Sequence, residues 1–148
     1  MVSSEIDICN ITLDLLDRAP ITSIETPTTK TEAMCARWYD QVRKEALRRH
    51  PWNFATKRIV LAPDAAAPAF GMSTQFTLPS DYIRVMYPQN SVINADSPVP
   101  ASDYKIEGRK LLIGSITGIE SSILNLVYVS DFKNVNQMDA SFVDYFAT

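Results

Sequence analysis

The sequence predicts an α+β fold, in which an N-terminal helical hairpin and the start of a C-terminal helix pack with an antiparallel β-sheet or small sandwich of about five strands. Two observations predict this class. Apolar residues recur at helical spacing before Pro51 and alternate with polar ones after it, and the helices precede the strands as a block. We expect one domain, residues 1–148, with a helical part at 1–52 and 138–148 and a β part at 53–135.

The first helix is expected to begin at Ser3 or Ser4, where a hydroxyl group can cap the free amides of the first turn. Glu5 and Asp7 follow at once, and acidic side chains favour the positive end of the helix dipole. Pro20 cannot continue a helix, so the helix should end before it. The apolar side chains that recur at helical spacing are Ile8, Ile11, Leu15 and Leu16.

The second helix is expected to begin between Thr29 and Thr31, because Thr29 and Glu32 have the spacing of a capping box. Its apolar side chains recur every four residues and predict a core-facing ridge. We call this the apolar ridge, and it consists of Met34, Trp38, Val42 and Ala46. Acid-before-base pairs on the other side, such as Asp40 with Lys44, predict the solvent-facing surface.

A rigid aromatic corner joins the second helix to the first strand. Pro51 pushes His50 out of the helical conformation and so ends the helix. Trp52 and Phe54 supply two large apolar side chains that can fasten the helical part to the sheet. We therefore expect Trp38, Trp52 and Phe54 to be structural anchors.

Alternating patterns after the corner predict strands, and Gly108 lies in a hairpin turn. The last strand is apolar on both faces, so either the helices or another subunit should cover its second face. Phe142 and Phe146 begin a helical pattern near the end of the sequence. We expect a truncated form or a tail that docks onto the other helices. The predicted strands are 55–61, 76–78, 83–87, 103–106, 111–113 and 122–130.

The composition, 46% hydrophobic and 21% charged, is that of a soluble globular protein, and we expect a cytoplasmic one without a membrane span or secretion signal. Cys9 and Cys35 are expected to be buried free thiols, with a disulfide as the alternative. The single histidine, His50, is expected to cap or pack. The four glycines lack the spacing of a phosphate loop, and no metal-ligand pattern occurs. We expect no enzyme, cofactor or metal.

The net charge of −3 argues against a non-specific DNA binder, but basic residues concentrate between Arg37 and Arg58. One interpretation is a solvated helix face. The other is an interface with an acidic neighbour, and a nucleic-acid-binding module remains the alternative function. The candidate interface residues are Arg37, Arg43, Lys44 and Arg48.

Several segments in register resemble the head-to-tail adaptor family of short-tailed bacteriophages, the tail tubular protein A type. They are residues 11–20 (ITLDLLDRAP), 35–39 (CARWY), 50–55 (HPWNFA), 69–71 (AFG), 78–85 (LPSDYIRV) and 104–112 (YKIEGRKLL). Each segment alone is weak, and together they span nearly the whole chain. Members of that family continue past residues 142–146 into a long C-terminal helix that this sequence lacks.

The resemblance implies a structural virion protein without catalytic activity. Such subunits assemble as a ring, commonly twelvefold, between the portal protein and the tail nozzle protein, and DNA passes through the channel without specific binding. The free chain would be a monomer before assembly in the host cytoplasm. The candidate interface residues would then face a neighbouring subunit or the portal.

Overall fold

The computed structural model describes residues 2–90, 99, 103–114 and 123–148. It confirms the α+β class: three α-helices are accompanied by two antiparallel sheets of three strands each, where the sequence predicted about five strands in one sheet or sandwich. The chain divides into two compact units. The helical unit comprises Met1–Ala55 with Asp131–Thr148, and the β unit comprises Thr56–Ser130.

The helical unit contains α1 (Glu5–Leu15), α2 (Lys30–Arg49) and α3 (Ala140–Ala147). Ser4 caps α1, Thr29 caps α2 and Asp139 caps α3. The two predicted starts are confirmed, including the capping box in which the Glu32 carboxylate reaches back to the Thr29 amide. α1 ends at Leu15, several residues before Pro20, because Asp17 adopts a left-handed backbone with φ 52°.

α3 docks onto both α1 and α2, which is one of the two alternatives predicted for the end of the sequence. Its Phe142 and Phe146 are buried, and the Tyr39 and Phe146 rings lie 5.1 Å apart. The Thr12 hydroxyl group donates to the Ala147 carbonyl oxygen at 2.8 Å. These contacts explain why a helix this short is stable here, since packing supplies what helix propensity alone cannot.

The aromatic corner anchors α2 to α3. The Trp52 and Phe54 rings each lie 5.0 Å from the Phe142 ring in edge-on geometry, and the Trp52 indole donates to the Ala46 carbonyl oxygen at 3.0 Å. His50 caps the end of α2 in an extended conformation and stacks edge-on against Trp52. Trp52 and Phe54 are therefore anchors within the helical unit, and His50 has the packing role that we expected.

The anchor prediction is wrong for Trp38. Its side chain is 49% exposed, and Met34 and Val42 are exposed to a similar degree. Of the apolar ridge only Ala46 is buried. α2 instead packs through the face that carries Tyr39, because that face lies against α3 and holds a buried arginine described below.

The β unit has two sheets that share one apolar core. The strands are β1 (Thr56–Leu61), β2 (Thr74–Thr77), β3 (Tyr82–Asn90), β4 (Tyr104–Glu107), β5 (Lys110–Ile113) and β6 (Leu124–Ser130). Their orders are β1-β6-β3 and β2-β5-β4. Phe76 and Ile113 from one sheet pack in the same cluster as Leu126 and Tyr128 from the other.

β6 lies at the centre of its sheet, and both of its faces are buried within this chain. Leu126 on one face and Val127 on the other are each almost completely inaccessible. Residue 122, where this strand was predicted to start, lies outside the described residues. The predicted hairpin is confirmed, since Glu107 pairs with Lys110 and Gly108 has the positive φ that the turn requires.

Candidate interaction surface

Arg43 is buried, so the interface prediction is wrong for this residue. Its side chain is 1% exposed, and it donates to three oxygen atoms. One guanidinium nitrogen contacts the Asp131 carboxylate and the Phe132 carbonyl oxygen, and the other lies 3.0 Å from the Asp40 carboxylate. The hydrogen bond from Arg43 lowers the pKa of Asp40. Arg43 therefore holds α2 to the segment that precedes α3.

Arg37, Lys44 and Arg48 lie on the exposed side of α2. Lys30, Arg37 and Lys44 follow one another at intervals of seven residues, which is two helical turns to within about 20°. They form a line of positive charge along the helix, which we call the basic row. Within the described part of the chain none of the three has an acidic partner at ion-pair distance, although Lys44 is close enough to Asp40 to help lower the pKa of that carboxyl.

Glu32 is a second buried charge and fastens the loop before α2. One carboxylate oxygen accepts from the backbone and hydroxyl groups of Thr22, and the other accepts from both groups of Thr28 and from the Thr29 amide, at 2.8–3.3 Å. The Thr28 and Thr22 amides are the main causes that lower the pKa of Glu32 to about 2. The sequence predicted the cap at Thr29 but not the contacts to the loop.

An open apolar groove of about 340 Å³ lies between α1 and α2 and is bordered at one end by the last residues of α3. Among the residues that the structure describes, no charged side chain lines it. Its principal walls are Ile8, Leu13 and Leu16 from the first helical segment and Met34, Trp38 and Val42 from α2. The exposed members of the apolar ridge therefore form one wall of this groove, next to the basic row.

Cys9 and Cys35 also line the apolar groove, and both are free thiols. Cys9 is buried, whereas Cys35 is half-buried, so the expectation of burial holds fully for Cys9 only. Burial, with a smaller contribution from the adjacent Cys35, raises the pKa of the Cys9 thiol to about 12. The sequence separation of the two cysteines concealed that α1 and α2 bring them together.

Tyr39 contributes to the same groove. Tyr39 is 7% exposed, and among the described residues its buried hydroxyl group has no hydrogen-bond partner. Burial raises its pKa. An unpaired buried hydroxyl is a local cost to folding, and no sequence pattern indicated it.

The conspicuous charged residues of the β unit hold the strands and loops. The Asp81 carboxylate accepts from the buried Tyr128 hydroxyl group at 2.8 Å and from the Lys57 ammonium group at 2.7 Å. Lys110 contacts Asp64, and Arg109 donates to the Pro79 carbonyl oxygen at 2.7 Å. Each of these charged side chains is engaged in an ion pair or hydrogen bond within the β unit.

Among the described residues, no group of three or more histidine, cysteine, aspartate and glutamate side chains is arranged to hold a metal ion. Within the same ranges, none of the helices combines the length and apolar character that a membrane crossing requires. No protein-family model matches the chain, and no curated protein matches it.

Proposed function

We propose that the chain is a subunit of a head-to-tail connector ring in a short-tailed bacteriophage, joining the portal to the tail nozzle around a channel for DNA. The observation that carries this proposal concerns the residues of the family resemblance. Three of its six segments, 50–55, 78–85 and 104–112, occupy joints of the fold, so their residues fix a shape. The proposal takes the protein to act by that shape, without a chemical step.

The first joint is the HPWNFA segment. Its Trp52 and Phe54 clamp Phe142 of α3, and its His50 and Pro51 set the direction in which the chain leaves α2. A change in this corner would alter the packing of α2 against α3. A subunit that must fit identical neighbours is expected to need such a fixed packing of its helices.

The second joint connects the LPSDYIRV segment with the EGRK residues of the YKIEGRKLL segment. Asp81 binds Tyr128 and Lys57, and Arg109 in the hairpin reaches back to Pro79. The two motifs are thus in contact through Arg109, although about thirty residues separate them. Both motifs stabilise the β unit, which supports an architectural reading of the resemblance.

Ring contacts are heterologous, so a ring subunit needs two unlike surfaces. The helical unit offers the basic row and the apolar groove. The β unit instead exposes isolated apolar side chains, and Phe70 at 90% exposure is the most prominent of them. We propose that these surfaces take part in contacts to neighbours, with Arg37, Lys44 and Arg48 on an inter-subunit or portal-facing surface.

The net charge of −3 suits a channel through which DNA must slide. A basic lining would bind phosphates by releasing their counterions and would slow the passage of DNA. The basic row nevertheless favours a second candidate function, a nucleic-acid-binding module. That candidate predicts tight binding of random duplex DNA by the lone chain, with affinity that falls steeply as salt rises.

The test mixes the full chain with the portal protein of the same virion and images the product by electron microscopy. We expect closed rings of this chain on one end of the portal. A parallel gel-shift series uses random duplex DNA at low and moderate salt. Absence of any portal complex would overturn the proposal, and tight salt-sensitive DNA binding would favour the second candidate.

A further inference from the structure

We propose that the apolar groove of the helical unit binds an acidic amphipathic α-helix from a partner protein. The apolar face of that helix lies in the groove, and its carboxylates face the basic row. This inference deepens the proposed function and rests on it only in taking the partner to be another virion protein. The recognition itself follows from the shape and charge of the helical unit.

The α2 wall of the groove has the length of a short helix. Its α2 wall runs from Thr31 to Val42, which corresponds to about 16 Å of helix axis. A partner helix of about three turns has that length. α3 packs against both α1 and α2 and borders the groove at one end through Phe146 and Ala147, which leaves a slot bounded on three sides. Helix-in-groove recognition uses slots of this kind.

The exposed side chains of the groove fit the apolar face of a helix. Trp38 and Met34 are each about half exposed, and Leu16 on the opposite wall is 64% exposed. A tryptophan at the centre of an apolar surface is the residue type that most often dominates a protein interface. Contiguous exposure of this kind differs from single exposed apolar residues, which are ordinary on a protein surface.

Charge complementarity selects an acidic helix. Lys30 lies four residues before Met34 and Arg37 lies three residues after it, so both stand beside the groove on the same flank of α2. Lys44 continues the row. None of the described side chains that line the groove is charged. A bound helix with Glu or Asp along one edge would therefore pair with the basic row, whereas a basic helix would be repelled.

A second copy of this chain does not supply the helix. The described part of the chain has two acidic amphipathic helices: α1, which carries Glu5 and Asp7, and α3, which carries Asp144 and whose Phe142 and Phe146 are buried. The apolar face of α1 is occupied, since Ile8 and Leu13 are buried in the same chain. Either helix would have to leave its own fold to occupy a neighbour's groove, so the partner is a different protein.

The experiment presents the full chain to two display libraries of peptides about 14 residues long, with apolar residues fixed at i, i+3, i+4 and i+7. One library carries Glu or Asp along one flank, and the other carries Lys or Arg there. The baits are the native chain, Trp38→Ala, and the double variant Lys30→Glu with Arg37→Glu. Two control baits carry matched changes at exposed sites of the β unit: Phe70→Ala, and Arg58→Glu with Lys105→Glu.

We expect the native chain and both controls to enrich the acidic library about tenfold or more over the basic one. Trp38→Ala should weaken the affinity for the selected peptides about thirtyfold, because a central tryptophan anchors the contact. The Lys30 and Arg37 double variant should reverse the charge preference. Circular dichroism checks that each bait is folded, and the substituted side chains are exposed enough for folding to survive.

Equal enrichment of both libraries, no enrichment of either, or equal loss in the control baits would overturn the inference. Binding of random duplex DNA that the charge-reversed variant loses and Trp38→Ala retains would also overturn it, in favour of nucleic acid on the basic row. Ring formation on the portal is scored separately. A chain that selects acidic helices but forms no ring refutes the proposed function alone, and a ring-forming chain that selects none refutes this inference alone.

Discussion

The helical unit and the β unit differ in where they place their charged side chains. In the helical unit Glu32 and Arg43 are buried, while Met34 and Trp38 are exposed. In the β unit the core cluster is apolar, and the ion pairs of Lys57 and Lys110 are partly exposed to solvent. The β unit thus follows the ordinary arrangement of a small protein, and the helical unit departs from it.

This contrast distinguishes two groups of side chains in the helical unit. The buried charged residues hold the unit together, and the exposed apolar residues are available to a partner. Glu32 and Arg43 hold loop residues to α2 through hydrogen bonds to Thr28 and Phe132. The apolar side chains that are not used for packing remain on the surface.

Arg43→Met should destabilise the helical unit by about 3 kcal/mol, because it leaves the largely buried Asp131 carboxylate without its partner. The matched change in the β unit, Lys57→Met, should cost less than about 1 kcal/mol, since the Lys57 side chain is 53% exposed. Urea unfolding measures both, followed by far-ultraviolet circular dichroism. Similar costs for the two variants would show that the units are held in the same way.

Glu32→Gln should remove an acid-dependent part of the stability. The hydrogen bonds that lower the pKa of Glu32 stabilise the folded state fully above pH 4.5, and this contribution is lost as the pH falls from about 4.5 to about 2. The native chain should therefore lose more stability than Glu32→Gln over that interval. The exposed Glu25→Gln variant is the control and should keep the native slope. Parallel curves for all three proteins would contradict the role of Glu32.

Two tyrosine-to-phenylalanine changes should differ between the units. Tyr128→Phe removes the hydrogen bond to the Asp81 carboxylate and should cost about 1.5 kcal/mol. Tyr39→Phe removes a buried hydroxyl group without a described partner and should be neutral or stabilising, within about 0.5 kcal/mol. Thermal unfolding of each variant measures the two effects. A destabilised Tyr39→Phe would mean that its hydroxyl group contributes to the fold.

The Cys9 and Cys35 thiols should differ in their reactivity toward iodoacetamide. Both are compared in the same native chain, so the free energy of unfolding does not differ between them. Cys9 is buried and burial raises its pKa to about 12, so its thiol stays protonated at pH 8. Iodoacetamide should therefore modify the half-buried Cys35 first in the folded chain. Mass spectrometry of the digested product measures the order. Both residues should react alike in urea, and faster modification of Cys9 in the folded chain would contradict its burial.

Local patterns in the sequence were sufficient for the elements of the fold. The hydroxyl cap at Ser4, the capping box of Thr29 and Glu32, the proline corner and the Gly108 turn each depend on residues that are close in sequence. The α+β class followed from the same change of periodicity. These features could be predicted because their physical causes are local.

The candidate surface was less predictable because long-range contacts determine it. The helical periodicity predicted that Trp38 faces the core. The packing of α2 depends instead on the contact between Arg43 and Asp131, which is 88 residues away. Because of the same contact, Arg43 is buried, although the sequence predicted that it lies on the surface. An arginine three residues after an aspartate, as Arg43 follows Asp40, was the available signal for a paired role, and it does not reveal burial.

The helical unit is held by its buried polar groups and its aromatic corner, whereas Trp38, which we propose meets a partner, contributes little to the fold. The most direct measurement compares Trp38→Ala with Trp52→Ala in urea unfolding of the lone chain. We expect about 1 kcal/mol for Trp38, which is half exposed, and about 3–4 kcal/mol for Trp52, which packs on Phe142 and donates to Ala46. Equal costs would place Trp38 among the core residues and contradict the claim.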